Sequence, residues 1–209
     1  MRRAKRAAIV AMLAVSGLVG VPATAPARAW GTASASTGPP NAPTATPARA
    51  WGKACRDTYV QPTRAYLSRV NAATLCLIER ERRVHRRGLL HSNRSLQRIA
   101  TSQAKEMVIG DYFGDNNRSG WTPIQRIEVS AYASRTRSLA AAQNIGWGTG
   151  ILATPAAMVR GWMLSPPHRR IMLTSDYRDI GVGIAPAAPP RLTEGLSGAT
   201  YTVEFAARK

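Results

Sequence analysis

Trp162-Met163-Leu164-Ser165-Pro166-Pro167-His168-Arg169-Arg170-Ile171-Met172-Leu173 leads, after a short gap, into Ile180-Gly181-Val182-Gly183-Ile184-Ala185, and the period of the apolar side chains changes between the two. The first stretch continues a helix that opens at Thr154-Pro155, because threonine is favoured at an N-cap and proline at the first helical position. Met158, Val159, Trp162 and Met163 form its apolar face. Ser165-Pro166-Pro167 ends that helix and starts a second, short one through Arg170 and Leu173, with Ser165 as cap and His168 in the first turn. Residues 180–185 alternate at period two, as does Thr200-Tyr201-Thr202-Val203-Glu204-Phe205, so both read as strands, linked by a Pro/Gly-rich loop from Ala187 to Gly198.

Towards the N-terminus the period is helical. Leu67, Val70, Thr74, Leu77 and Ile78 share one face, and Arg82, Arg83, Arg86 and Arg87 supply a basic last turn that suits the negative end of the helix dipole before Gly88 stops it. Asn93 is the expected N-cap of a second helix, with Leu96, Ile99, Ala100, Ala104, Met107 and Val108 inward and its end near Gly110. Pro123 opens a third, with Ile124 and Ile127 inward. Gly146-Trp147-Gly148-Thr149-Gly150 lacks the Lys-Ser/Thr of a P-loop and reads as a turn between elements. Helices first and strands later predict an α+β domain with helices packed on an antiparallel sheet.

The chain begins as an exported one. Basic residues up to Arg6 precede an apolar stretch, Ala7 to Val21, that is shorter than the roughly 20 residues of a spanning helix. Ala27-Arg28-Ala29 then fits a signal-peptidase site, so 1–29 is expected to be a cleaved leader and no membrane is spanned afterwards. Residues 30–54, rich in Ala, Thr, Ser and Pro, read as a disordered tether that repeats the Pro-Ala-Arg-Ala-Trp-Gly of 26–31 at 47–52. Residues 55–209 are left for one domain.

Taking the leader's Arg2, Arg3, Lys5, Arg6 and Arg28 from the chain's 29 basic residues leaves 24 against 11 acidic ones. That excess attracts polyanions in general, anionic lipid or cell-envelope polymer as well as nucleic acid, and specifies no nucleic-acid site. The two cysteines, Cys55 and Cys76, favour a disulfide in an exported chain; reactive thiols or metal ligands are the alternative.

No H-E-x-x-H or G-x-S-x-G is present. Among the histidines, His85 and His91 fall where solvation is expected, whereas His168 sits at a positive helix end that favours the neutral ring, suited to a ligand or a hydrogen-bond acceptor. Ser165 and His168 invite a nucleophile and base reading, for which the sequence supplies no orienting third group. Glu79, Glu106, Asp111, Asp115 and Glu128 are the carboxylates from which a glycosidase pair would be drawn.

In order and spacing, Leu75-Cys76-Leu77-Ile78-Glu79-Arg80-Glu81-Arg82, Gly88-Leu89, Met107 to Phe113, Gln143-Asn144-Ile145, Trp162 with Ser165-Pro166-Pro167-His168-Arg169, and Ile180-Gly181-Val182-Gly183 resemble the bacterial, SCP-like extracellular branch of the CAP superfamily. The resemblance implies an α-β-α sandwich with a surface cavity, exported and disulfide-supported. Some relatives are associated with sterol or lipid binding, and some bind a divalent metal through histidines and glutamates. Here the family's first cavity histidine falls at Asp115, the glutamate of its Glu-Asn pair at Gln143 beside Asn144, and a further glutamate at Ser165; the last histidine is retained as His168. The asparagine common in the first helix is Glu79.

Zinc prefers three or four nitrogen, sulfur or carboxylate ligands, and one imidazole, one carboxylate and a neutral amide fall short of that. The resemblance therefore implies no resident cofactor, with a weak divalent site through Asp115 left open. The expected function is a secreted, non-enzymatic binding module for lipid or anionic cell-envelope ligands, its pocket edged by Asp115, Gln143, Asn144, Ser165 and His168. The alternative is a secreted hydrolase using His168 with Asp115 or Ser165. Oligomeric state and ligand identity are not legible.

Overall fold

A computed structural model describes residues 54–134 and 136–208. The expected leader and nearly all of the expected tether lie outside the described residues. Among the described residues, six α-helices, α1 (Leu67–Val84), α2 (Arg94–Ile109), α3 (Pro123–Glu128), α4 (Pro155–Leu164), α5 (Pro166–Leu173) and α6 (Pro190–Thr193), accompany four strands, β1 (His91–Ser92), β2 (Leu139–Thr149), β3 (Asp179–Ala185) and β4 (Gly198–Arg208). The fold is α+β.

The strands form one open sheet in the order β1-β3-β4-β2. β4 runs antiparallel to β2 and to β3, whereas the two-residue β1 pairs with β3 in parallel. The sheet is thus mixed where a purely antiparallel one was expected, because the chain passes from α1 on one face to α2 on the other along the β3 edge, where two residues pair in parallel.

Alternation along β4 sends its side chains to two different layers. Tyr201, Val203 and Phe205 join Ile180, Val182 and Ile184 of β3 in one large cluster with Val70, Leu77 and Ile78 of α1 and Met158 and Trp162 of α4. On the other face α2 lies directly on the sheet. A Cβ on Gly181 would overlap the backbone at Leu96, and one on Gly183 the backbone at Ala100 and Thr101, so only glycine admits the helix at this distance. The second, smaller cluster of Leu96, Ile127, Tyr132 and Ala206 closes that layer, with α3 at its end.

Several local expectations hold. The Asn93 side chain caps α2 by accepting from Ser95 and Leu96 N–H groups, and Thr154 caps α4 with Pro155 at its start. Cys55 and Cys76 form a disulfide with a Cα–Cα distance of 5.7 Å, tying the segment before α1 to that helix and closing a loop worth about 3 kcal/mol on a chain-entropy estimate.

Others are corrected. Gly146 to Thr149 belong to β2 and form no turn; Met158 of α4 and the Leu152 carbonyl come so close that a Cβ at Gly146 or Gly148 would collide with them. Helix α1 ends at Val84, before Gly88, and the left-handed residue after it is Arg86 at φ 55°. Arg82 does not face solvent at the helix end: it is fully buried, and its guanidinium donates to the carbonyls of Gly88 (2.8 Å), Met172 (2.7 Å) and Thr174 (2.9 Å). Ile124 is 38% exposed, so Ile127 alone anchors α3. The 187–198 loop contains the short α6. No helix among the described residues is long and apolar enough to cross a membrane.

Candidate functional site

His168 is placed by the break between α4 and α5. Ser165 occupies the N-cap position of α5, yet its side chain caps no backbone N–H; instead Oγ lies 2.7 Å from His168 Nδ1. Pro167 has no N–H to offer at the second helical position, and the hydroxyl turns to the imidazole in place of the His168 N–H at the third. His168 is buried, and that burial lowers its pKa below the ordinary histidine value, with the nearby Asp115 carboxylate opposing. The ring is therefore neutral at pH 7. Asn144 points to this side of the sheet, where its Nδ2 donates to the His168 carbonyl (3.1 Å) and holds α5 against β2.

Gln143, one residue earlier on β2, points to the opposite face and faces Glu204 of β4 in register. Its Nε2 donates to Asp115 Oδ1 (3.0 Å), in the loop between α2 and α3, and its Oε1 accepts from Arg126 Nη2 of α3 (2.6 Å). Arg126 Nη1 also donates to the carbonyls of Asp115 (3.0 Å) and Trp121 (2.7 Å). The same guanidinium lies 3.7 Å from Glu204 Oε1, an ionic contact and not a hydrogen bond.

Glu204 is fully buried, and neither carboxylate oxygen has a hydrogen-bond partner. Burial pushes its pKa up to about 8, against the pull of Arg126 and with the help of Asp115. Close by in the chain's fold, Gln103 of α2 donates to the Gly114 carbonyl (3.1 Å) and to Tyr112 Oη (3.3 Å), tying down the loop that carries Asp115. Glu204 and Arg126 escape a reading of the sequence for sites. The available signal was a charged residue at the period-two position of a strand whose other face is Tyr201, Val203 and Phe205.

The structure thus forms two contacting groups, Asp115 with Gln143 and Ser165 with His168. Between the groups Asp115 acts on His168 through space, with no hydrogen bond joining them. Ser165 also borders an apolar recess beside α4, with Leu164 and Arg160.

The donor set does not suit the divalent metal that the resemblance implies for some relatives. Both functions of the Gln143 amide are engaged, a guanidinium occupies the centre of the polar group, and among the described residues no three His, Cys, Asp or Glu side chains gather as ligands would. Hydrolysis fares little better. Ser165 and His168 touch, but Asp115 does not orient the imidazole, and two prolines remove the N–H donors that could stabilise an oxyanion behind Ser165. Three of the other four candidate carboxylates are engaged elsewhere: Glu79 pairs with Arg83 (3.3 Å), Glu106 accepts from the Arg118 N–H (2.7 Å), and Asp111 pairs with Arg191 (3.4 Å), while Glu128 is exposed at the end of α3.

The model of the CAP, cysteine-rich secretory protein, family matches residues 75–194, more than half of the chain. The chain belongs to the CAP family. Solved structures agree on the fold. An outer surface protein from Borrelia burgdorferi is 20% identical with a TM-score of 0.51 over 65% of this chain and 90% of that one. An extracellular protein containing an SCP domain from Bacillus anthracis is 20% identical with a TM-score of 0.53, over 71% of this chain but only 44% of that one. No curated protein matches the sequence. Within the CAP fold, then, this chain sets an arginine among the polar side chains of its α2/α3 face.

Proposed function

We propose that this CAP protein is exported and acts as a non-enzymatic binding module for lipid or anionic cell-envelope material. The observation that supports this reading best is Arg126: it ties up Gln143 and the Asp115 carbonyl, so that this part of the site is held in hydrogen bonds within the protein and is not free to act as a ligand set. The disulfide fits an oxidising compartment, and the basic excess fits an anionic ligand. The test is a lipid-overlay and native mass-spectrometry survey of the secreted protein at low and moderate salt. Recovery of bound lipid or envelope fragments is expected; a protein that carries none under either condition would contradict the reading.

A second reading, hydrolysis, is favoured by one contact, Ser165 Oγ to His168 Nδ1 at 2.7 Å. Peptide, ester and peptidoglycan substrates separate the two. The binding reading predicts no turnover by the wild type, and turnover that vanishes in His168→Ala would reverse the ranking.

A further inference from the structure

The face that carries α4 and α5 holds two adjoining recesses of about 680 Å³ each. One is apolar, with Tyr59, Ile151 and Leu164 standing out at 73%, 60% and 74% exposure and Arg160 on its rim. Its wall is fixed, since the Ala156 N–H donates to the Thr58 carbonyl (2.8 Å) and sets Tyr59 beside α4. The other recess is lined by Arg87, Arg169 and Arg170, with Asp176 as its one carboxylate. Leu164 borders both, so apolar and cationic surface are continuous.

Arg87, Arg160, Arg169 and Arg170 are all exposed, and none has a carboxylate within ion-pair distance among the described residues. Arg169 is held in place by donating to His85 Nε2 (3.0 Å), whose Nδ1 in turn donates to the Glu81 carbonyl (2.8 Å). The opposite face of the molecule offers a useful contrast. A recess of about 590 Å³ on α2 is also basic, through Arg94, Arg98 and Lys105, but no hydrophobic residue lines it.

A soluble polyanion would neutralise the arginines of the α4/α5 face and leave Tyr59, Ile151 and Leu164 in water. A neutral hydrocarbon would do the reverse. A surface that is apolar within and anionic at its boundary satisfies both at once, as a bilayer interface does. We infer that the α4/α5 face docks on a membrane surface containing anionic phospholipid, with Tyr59, Ile151 and Leu164 entering the interface and Arg87, Arg160, Arg169 and Arg170 meeting phosphates. This rests on the binding reading above and gives it a surface and a ligand chemistry.

The test is co-sedimentation of the full secreted chain with phosphatidylcholine vesicles, with and without about 30% phosphatidylglycerol to supply the surface charge. Binding is expected only to the anionic vesicles. Arg169→Gln with Arg170→Gln should weaken it roughly 25-fold, at about fivefold for each arginine near the surface. Ile151→Ser with Leu164→Ser should weaken it at least about fivefold, through lost apolar burial. Arg94→Gln with Arg98→Gln, on the polar recess of α2, should change it less than about twofold.

Circular dichroism checks each variant, and Leu164→Ala, a truncation at an exposed helix end, replaces the serine pair if that pair does not fold. The inference is overturned if wild-type protein ignores anionic vesicles, if the apolar variants bind as wild type does, or if the α2 pair is as damaging as the α5 pair. Protein that ignores vesicles yet retains an envelope fragment in the mass-spectrometry survey would end the docking inference and leave the binding reading standing.

Discussion

The two faces of the sheet are built on different principles, although β4 serves both. Towards α1, α4 and α5 its side chains are Tyr201, Val203 and Phe205, in an apolar cluster with Trp162 and Met158. Towards α2 and α3 they are Thr200, Thr202 and Glu204, under a helix that approaches over Gly181 and Gly183. The first face gains most of its stability from apolar burial that pH does not touch, with His168 as a titratable group at its margin. The second sets an ionisable pair, Glu204 and Arg126, beside a smaller apolar cluster, so its contribution varies with protonation. One strand with period-two alternation can therefore hold a conventional core and a titratable one a few ångströms apart.

The largest effects should fall on the anchors of each face. Phe205→Ala is expected to cost about 3–5 kcal/mol at any pH between 6 and 9, as cavity creation does. Arg126→Met should cost about 3 kcal/mol near neutrality, through the lost donors to Gln143, Asp115 and Trp121, and more at pH 9, where Glu204 would have to ionise without its partner. Urea unfolding of both variants across that pH range would show the contrast, and parallel pH profiles would break it.

Next in size is the carboxyl group itself. Because the folded-state pKa of Glu204 is raised to about 8, its contribution is fully present below the unfolded value near 4.5 and is lost as pH rises through 8. Wild-type stability should thus fall by an amount on the order of a few kcal/mol between pH 5 and 9, and Glu204→Gln should flatten that fall. Chemical denaturation at the two ends of the range measures it; an unchanged slope in the variant would place the titration elsewhere.

His168 gives a smaller effect of opposite sign. Its pKa is lowered by burial, so the stability it contributes is present above the ordinary value near 6.5 and is lost as pH falls through the folded one. A loss of stability on acidification, smaller than the Glu204 effect and absent from His168→Gln, is the expected result in thermal melts at pH 7 and 5.

Much of the fold was legible because its signals are local. Asn93 before α2, Thr154-Pro155 before α4 and the alternation in β3 and β4 each lie within one element, and each is found where its local chemistry puts it. Strand β2 was not legible. Its glycines look like turn residues, but they answer to Met158 and Leu152, which no local pattern around 146–150 reveals. Arg82 misleads for a related reason: a helix-terminal arginine normally seeks water, and the carbonyls of Met172 and Thr174, brought in by α5, join that of Gly88 to make its burial tolerable. The candidate site divides the same way. Ser165 and His168 are three residues apart and their contact follows from the turn; Arg126 meeting Glu204 depends on the packing of α3 against the sheet, a long-range event.

The central claim is that Arg126 closes the polar face of this CAP domain, so that the side chains Asp115, Gln143 and His168 form no metal site. It is tested most directly by the thermal midpoint with and without about 1 mM Zn²⁺, since a ligand that binds only the folded state must raise it. The account predicts a shift below about 1 °C that is the same in Asp115→Asn and His168→Gln. A rise of several degrees in the wild type that either substitution abolishes would contradict it.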